Sequence, residues 1–80
     1  MKMIKIYTTP DCQQCEQTKK FFNARNVPFE TIDLSKDDEA MTMVKALGYS
    51  SAPVVIAGEK HWSGYRHDKL LDAAHLAKGA

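Results

Sequence analysis

The chain has 80 residues, of which 44% are hydrophobic and 26% are charged, and its formal net charge is +1 at pH 7. A chain of this length buries one small core, so we expect a single domain over residues 1–80, and its near-neutral charge gives no basis for binding nucleic acid or an anionic membrane. The N-terminal sequence lacks the apolar core of a signal peptide, and no stretch approaches the roughly 20 apolar residues of a membrane span, so we expect a cytoplasmic protein that does not enter membranes.

The first half of the chain predicts a strand, a helix and a second strand. Alternating apolar residues indicate a strand over Lys2–Tyr7, which the Thr-Thr-Pro sequence ends. Asp11 is the expected N-cap of a helix from about Gln13 to Arg25, and a second strand is expected over Val27–Leu34. The residues that share the inward face of this helix, spaced three and four apart, are Cys15, Thr18 and Phe22.

The second half predicts a helix, a hairpin and a last helix. Ser35 followed by Asp38 resembles a capping box, and Gly48 is the expected end of the helix that follows. The apolar run Val54–Ala57 shows no polar alternation, which favours a strand buried on both faces. A tight turn leads into a short strand over Lys60–Ser63, and a last helix begins near His67. The positions expected to face the core are Ala40, Met43, Val44 and Leu47 in the second helix and Leu70, Leu71, Ala74 and Ala77 in the third.

The predicted order of elements is therefore β-α-β-α-β-β-α. A helical crossover between the first two strands favours their parallel pairing, whereas the last two strands form an antiparallel hairpin. This pattern predicts an α/β fold with a mixed sheet.

Both cysteines of the chain, Cys12 and Cys15, lie where the first strand gives way to the first helix. The thiolate is the nucleophile in disulfide exchange, and the N–H groups and dipole at a helix N-terminus favour an anion. We expect Cys12 to attack a substrate disulfide there. Cys15, one turn further along and pointing inward, is expected to resolve the mixed disulfide.

Two other interpretations of the cysteine pair remain open at this point. A structural clamp would close only a very small loop, which constrains few unfolded conformations. A zinc site would need His61 and His67 as the remaining ligands, but the 45 residues between Cys15 and His61 are far from the compact finger spacing. A C-x-x-C motif at a strand-to-helix junction favours a redox role over both.

Two further segments resemble a known family. The Cys12–Cys15 motif, together with the Ala-Pro-Val-Val sequence that begins at Ala52, resembles thioredoxin-fold oxidoreductases. The segment WSGYRHD at residues 62–68 resembles the W-S-G-F-R-P-D hallmark of the NrdH-redoxins, which are glutaredoxin-like proteins with thioredoxin-like activity. The resemblance implies a thioredoxin-like, glutaredoxin-type fold with a four-stranded mixed sheet flanked by three helices.

The resemblance also implies a function. NrdH-redoxins are dithiol electron carriers with protein-disulfide reductase activity. They are reduced by thioredoxin reductase and donate electrons to the large subunit of class Ib ribonucleotide reductase for deoxyribonucleotide synthesis. By this resemblance Cys12 is the nucleophile, Cys15 is the resolving thiol, and Pro53 is a cis-proline facing the disulfide. We expect no metal or other cofactor and a monomer. The residues expected to bind the substrate or partner are Thr8, Gln13, Gln14, Ala52, Pro53, Val54, Trp62, Ser63, Gly64 and Arg66.

The chain departs from the family pattern at three positions, where Gln13, Tyr65 and His67 replace the usual valine, phenylalanine and proline. An ordinary glutathione-dependent glutaredoxin is the nearest alternative, although residues 63–66 lack the usual Gly-Gly of its glutathione-carboxylate site. A redox-responsive regulator or an arsenate-reductase relative is a more distant one. Trp62 and Arg66 also have plain interpretations, as a core residue and a solvated charge.

Overall fold

The computed structural model describes the backbone of residues 4–79 and the side chains of residues 4–75. Lys2 and Met3 of the predicted first strand, and the side chain of Ala77, lie outside the described residues. The order of elements is the predicted one. Their bounds are β1 Ile4–Thr8, α1 Gln13–Ala24, β2 Phe29–Asp33, α2 Asp38–Ala46, β3 Val54–Ala57, β4 Lys60–Ser63 and α3 His67–Gly79.

The four strands form one mixed sheet in the order β2-β1-β3-β4. β1 pairs with β2 in parallel, and β3 pairs antiparallel with both β1 and β4. The helical crossover and the hairpin are therefore paired as predicted. Because β1 and β3 run in opposite directions, with Tyr7 opposite Val54, the C-terminal end of β1 and the N-terminal end of β3 lie at the same end of the sheet. The loop into α1 and the residue before β3 are located at that end.

The two faces of the sheet bury separate clusters. One face packs against α1 and α3, and its core includes Phe22, Val55 and Leu70. The other face packs against α2 through residues that include Val44 and Val54. Val54 and Val55 point to opposite faces and neither is exposed at all, which confirms that the start of β3 is buried on both sides.

The end of α1 explains why β2 is shorter than predicted. Asn26 adopts a left-handed backbone with φ 56°, and the N–H of Val27 returns to the carbonyl oxygen of Phe22 at 3.0 Å. Together with the bond from the Asn26 N–H to the Asn23 carbonyl oxygen, this is a Schellman motif. Val27 therefore completes the helix end, and the strand begins only at Phe29.

The capping box predicted for Ser35 and Asp38 is wrong. Asp37 is the N-cap of α2, and its Oδ1 accepts the N–H of Ala40 at 3.0 Å. Ser35 instead donates both its N–H and its hydroxyl to Oδ1 of Asp33, at 2.9 and 2.6 Å. Ser35 thus closes a local turn after β2, and Asp37 caps the helix.

Two leucines predicted to face the core are exposed. Leu47, at the C-cap of α2, is 36% exposed, and Leu71 of α3 is 42% exposed. The N–H of Leu47 still bonds to the carbonyl oxygen of Met43, so the last helical turn reaches this residue, and its side chain is exposed at the C-terminal end of the helix. Leu71 lies beside Leu70, and only Leu70 points into the cluster beneath α3.

Candidate active site

Cys12 and Cys15 form a disulfide, with their Cα atoms 5.2 Å apart. Cys12 is partly exposed, whereas Cys15 is only 1% exposed. A disulfide of an incoming protein can therefore approach the sulfur of Cys12 but not that of Cys15. This difference in exposure supports the predicted division into an attacking and a resolving cysteine.

The first turn of α1 is built around Cys12. Its backbone is extended, with φ −104° and ψ 103°, and its carbonyl oxygen accepts the N–H of Glu16. Its Sγ accepts the N–H of Cys15 at 3.1 Å. The prediction that Asp11 caps this helix is wrong, because Asp11 turns the chain in a left-handed conformation with φ 58° and Cys12 takes the N-cap position. The sulfur thus lies where backbone N–H groups stabilise a thiolate.

Charged and polar side chains of α1 complete this end of the site. Lys19 pairs with Glu16 at 2.5 Å, so a cation offsets the acidic residue in the first turn. Thr18 is fully buried and donates its hydroxyl to the carbonyl oxygen of Gln14 at 2.9 Å. The burial of Thr18 and Cys15 follows from the predicted inward face of α1.

Residues 50–53, which we call the Pro53 loop, are hydrogen-bonded beside the disulfide to the end of β4 and the residue that follows it. The Ala52–Pro53 peptide bond is cis, in agreement with the expectation from the resemblance. Gly64 donates its N–H to the carbonyl oxygen of Pro53 at 2.8 Å, and Ser63 donates its hydroxyl to the carbonyl oxygen of Ser51 at 3.1 Å. A methyl group added at Gly64 would lie 3.9 Å from Oε1 of Gln14, so this segment also reaches the start of α1.

A groove of about 390 Å³ runs from Cys12 toward α2, and we call it the α2 groove. Its walls are largely apolar, and no sequence motif predicted it as a site. Its lining residues come from four parts of the chain: Thr9 and Cys12, Leu34, Met41 and Val44, and Tyr49 to Ala52. A second depression, of about 500 Å³, also includes Cys12, and its other lining residues include Pro10, Asp11 and Glu16. Cys12 therefore borders both depressions.

Comparison with known proteins agrees with this geometry. A family model described as Glutaredoxin matches residues 4–62. The chain is 43% identical over 77 residues to the Glutaredoxin-like protein NrdH of Escherichia coli K12, covering 92% of this chain and 95% of that protein. The chain belongs to the glutaredoxin family, and within it to the NrdH-redoxins. It is a glutaredoxin-like redox protein whose C-x-x-C centre is Cys12 and Cys15.

Solved structures place the fold in the same family. The E. coli NrdH-redoxin, described as having a thioredoxin-like activity profile, superposes with a TM-score of 0.85 at 41% identity, covering 88% of this chain and 92% of that one. A glutaredoxin from Archaeoglobus fulgidus gives a TM-score of 0.74 at 30% identity, covering 91% of this chain and 86% of that one. The predicted thioredoxin-like, glutaredoxin-type fold is confirmed.

The residues predicted to contact a substrate or partner fall into two groups in this NrdH-redoxin. Gln13, Gln14 and Arg66 are exposed, and Ala52, Ser63 and Gly64 are partly exposed. The side chains of Pro53, Val54 and Trp62 are buried, the last at 4% exposure, and Thr8 is partly buried with its hydroxyl directed to the carbonyl oxygen of Ile32. The side chain of Val54 therefore offers a partner no surface, and that of Trp62 offers little.

The two histidines of the zinc interpretation lie in different surroundings. Nδ1 of His61 is 2.7 Å from the hydroxyl of Tyr49, whereas the His67 ring meets the edge of Phe21 with centroids 5.5 Å apart. Among residues 4–79, no three histidine, cysteine or acidic side chains converge as a metal site would need. Within that same range, none of the helices has the length and apolar character required to cross a membrane.

Proposed function

We propose that this chain is a dithiol electron carrier that accepts electrons from thioredoxin reductase and donates them to the large subunit of class Ib ribonucleotide reductase. One observation carries the proposal. The NrdH hallmark segment is fixed beside the redox centre by the bond from the Gly64 N–H to the Pro53 carbonyl oxygen. The likeness to E. coli NrdH over 92% of the chain supports it, as does the thioredoxin-like activity profile of that relative.

The chemistry is two consecutive thiol–disulfide exchanges. The Cys12 thiolate attacks one sulfur of the substrate disulfide, which forms a mixed disulfide and releases one substrate thiolate. The Cys15 sulfur, deprotonated, then attacks Sγ of Cys12 and releases the second substrate thiolate. Two electrons pass to the substrate, whose thiolates take up two protons from water, and the carrier is left with the Cys12–Cys15 disulfide present in this structure. The reductase returns two electrons to that disulfide.

Substrate recognition uses the surfaces on either side of Cys12. An extended substrate segment lies along the Pro53 loop, where the backbones of Ala52 and Val54 offer hydrogen bonds in the manner of strand addition. Apolar side chains near the substrate cysteine enter the α2 groove against Leu34 and Met41. Gln13, Gln14 and Arg66 form the polar rim around this contact.

We further propose that the protein works as a monomeric, single-domain carrier in the cytoplasm. A reducing compartment keeps the dithiol available, and disulfides that persist there are usually catalytic rather than structural. The small size of the chain and its near-neutral charge are consistent with this assignment.

A coupled assay distinguishes the proposal from a glutathione-dependent glutaredoxin. NADPH consumption is measured with this protein and insulin, once through thioredoxin reductase and once through glutathione with glutathione reductase. We expect turnover with thioredoxin reductase and only background with glutathione, since residues 63–66 read Ser-Gly-Tyr-Arg without the Gly-Gly of a glutathione-carboxylate site. Class Ib ribonucleotide reductase then replaces insulin as the acceptor. Robust turnover with glutathione alone would overturn the proposal.

A further inference from the structure

Tyr49 and His61 form a side-chain pair at the edge of the α2 groove. The Tyr49 hydroxyl and Nδ1 of His61 are 2.7 Å apart, and the two rings meet edge to face with centroids 5.6 Å apart. Tyr49 lines the groove together with Cys12. His61 lies on β4 and is not among the described residues that line the groove. The pair therefore connects one wall of the groove to the edge strand of the sheet.

The backbone beneath Tyr49 is fixed independently of this pair. The N–H of Tyr49 bonds to the carbonyl oxygen of Val44 at 3.1 Å, and that of Gly48 bonds to Lys45 at 3.0 Å. With Gly48 at φ +96°, these two bonds form the Schellman motif that ends α2. The loop is held again at Ser51, whose carbonyl oxygen accepts the hydroxyl of Ser63.

His61 and Ser63 act on the same loop from the same side of β4. Residues two apart in a strand point to one face, so both side chains project toward the loop after α2, while Trp62 points into the opposite core. Ser63 restrains the backbone of the loop, and His61 restrains the orientation of the Tyr49 ring. The χ2 torsion of a half-buried tyrosine is otherwise broadly distributed, and a bond to the loop backbone does not narrow it. The hydrogen bond from His61 therefore adds a restraint on the ring that the Ser63 bond does not supply.

We propose that His61 is a positioning residue that sets the shape of the α2 groove by holding Tyr49, and thereby sets the affinity for the substrate segment that carries the disulfide. The inference rests on the proposed function, because it needs a protein disulfide as substrate. His61 acts through Tyr49 and does not touch the reacting sulfurs, so it affects binding and leaves the exchange step unchanged. Depending on the tautomer of His61, Nδ1 accepts a hydrogen bond from the tyrosine hydroxyl or its N–H donates one to the hydroxyl oxygen.

The test is insulin reduction with saturating dithiothreitol as the reductant, which requires no physiological partner. KM for insulin and kcat are measured for His61→Ala, Tyr49→Phe and the double variant. Loss of one hydrogen bond in the binding surface should raise KM about 3- to 10-fold in each single variant. The double variant should be no worse than either single one, because both remove the same contact. kcat and the rate of Cys12 alkylation by iodoacetamide should stay at the wild-type values.

Two further variants separate positioning from general damage. His61→Asn keeps a polar atom near the position of Nδ1 and should restore most of the wild-type KM. His75→Ala removes an exposed histidine from α3, on the opposite side of the sheet from the groove, and should leave KM unchanged.

Each outcome supports or overturns the inference. A wild-type KM in both single variants, or additive effects in the double variant, would overturn it while leaving the proposed function intact. A failure of His61→Asn to restore KM would also count against it. If the wild-type protein did not reduce insulin, the proposed function would fail and this inference with it.

Discussion

Gly64 donates its backbone N–H to the carbonyl oxygen of Pro53 at 2.8 Å. This bond joins the segment after β4 to the loop before β3, at the end of the sheet where the first turn of α1 also lies. Gly64 makes it with a φ of +86°, a conformation that residues with a side chain rarely adopt. The hallmark segment therefore contributes to the site through its backbone as well as its side chains.

The conformation of Gly64 predicts the effect of Gly64→Ala. The added methyl group meets only Oε1 of Gln14 at 3.9 Å, so its cost comes from the backbone and should be about 1–2 kcal/mol of unfolding free energy. Relaxation of that strain would displace the Pro53 carbonyl, and kcat/KM for insulin should fall about 3- to 10-fold. Urea unfolding and insulin reduction measure the two effects.

Gly58→Ala is the matched control for this variant. Gly58 also has a positive φ, +65°, but it lies in the turn between β3 and β4, at the far end of the hairpin from the disulfide. It should lose comparable stability and keep its activity. Equal losses of activity in the two variants would show that reduced stability, not the site, explains the result at Gly64.

The exposure of the two cysteines predicts different phenotypes for their substitution. Cys12→Ser should abolish insulin reduction, because the accessible sulfur is lost. Cys15→Ser and Cys15→Ala should instead accumulate a covalent mixed disulfide between Cys12 and the substrate, visible by mass spectrometry and removed by dithiothreitol. The alanine variant avoids an unpaired hydroxyl at a position that is 1% exposed. Equal residual activity after substitution of either cysteine would contradict the assigned roles.

The same difference predicts selective alkylation of the reduced protein. With less than one equivalent of iodoacetamide, Cys12 should be modified at least about 10-fold faster than Cys15, because it is accessible and its thiolate is stabilised at the helix start. Peptide mapping measures the ratio. In urea the two rates should converge, which serves as the control. Comparable rates in the folded protein would mean that the resolving sulfur is as accessible as the attacking one.

The parts of this fold that could be predicted from sequence depend on periodicity. The spacing of Cys15, Thr18 and Phe22 gave the inward face of α1, and the apolar run at Val54 gave a strand buried on both sides. Helix caps were less predictable, since residues one or two apart compete for each cap. At α1 the cap is Cys12 rather than Asp11, and at α2 it is Asp37 rather than Ser35.

The α2 groove could not be predicted, because its walls meet only in the folded chain. Cys12 follows β1, Met41 belongs to α2, and Tyr49 follows the end of that helix. The contact between Tyr49 and His61 depends on the register of the hairpin. The only signal in the sequence was the position of Tyr49 directly after the helix-ending Gly48, next to the Pro53 loop.

Asp33 predicts a pH-dependent contribution to stability at the end of β2. Hydrogen bonds from the Ser35 hydroxyl and then from its N–H, with the charge of Lys36, hold the pKa of Asp33 below its ordinary value of 3.8. A carboxylate whose pKa is lower in the folded state stabilises that state above the unfolded pKa, and this stabilisation is lost as pH falls through the folded pKa. Ser35→Ala removes the largest cause, so the pKa of Asp33 should rise, and the variant should be less stable than wild type at neutral pH.

The difference between Ser35→Ala and wild type should shrink in strong acid, where Asp33 is protonated in both proteins. Carboxyl ¹³C titration by NMR gives the pKa, and urea unfolding at neutral and strongly acidic pH gives the stability. Thr42→Ala is the control, because the Thr42 hydroxyl donates to the backbone carbonyl oxygen of Asp38, which does not titrate. Its effect should be the same at both pH values. A stability difference for Ser35→Ala that was equally independent of pH would show that its hydroxyl acts on the turn alone and not on the charge of Asp33.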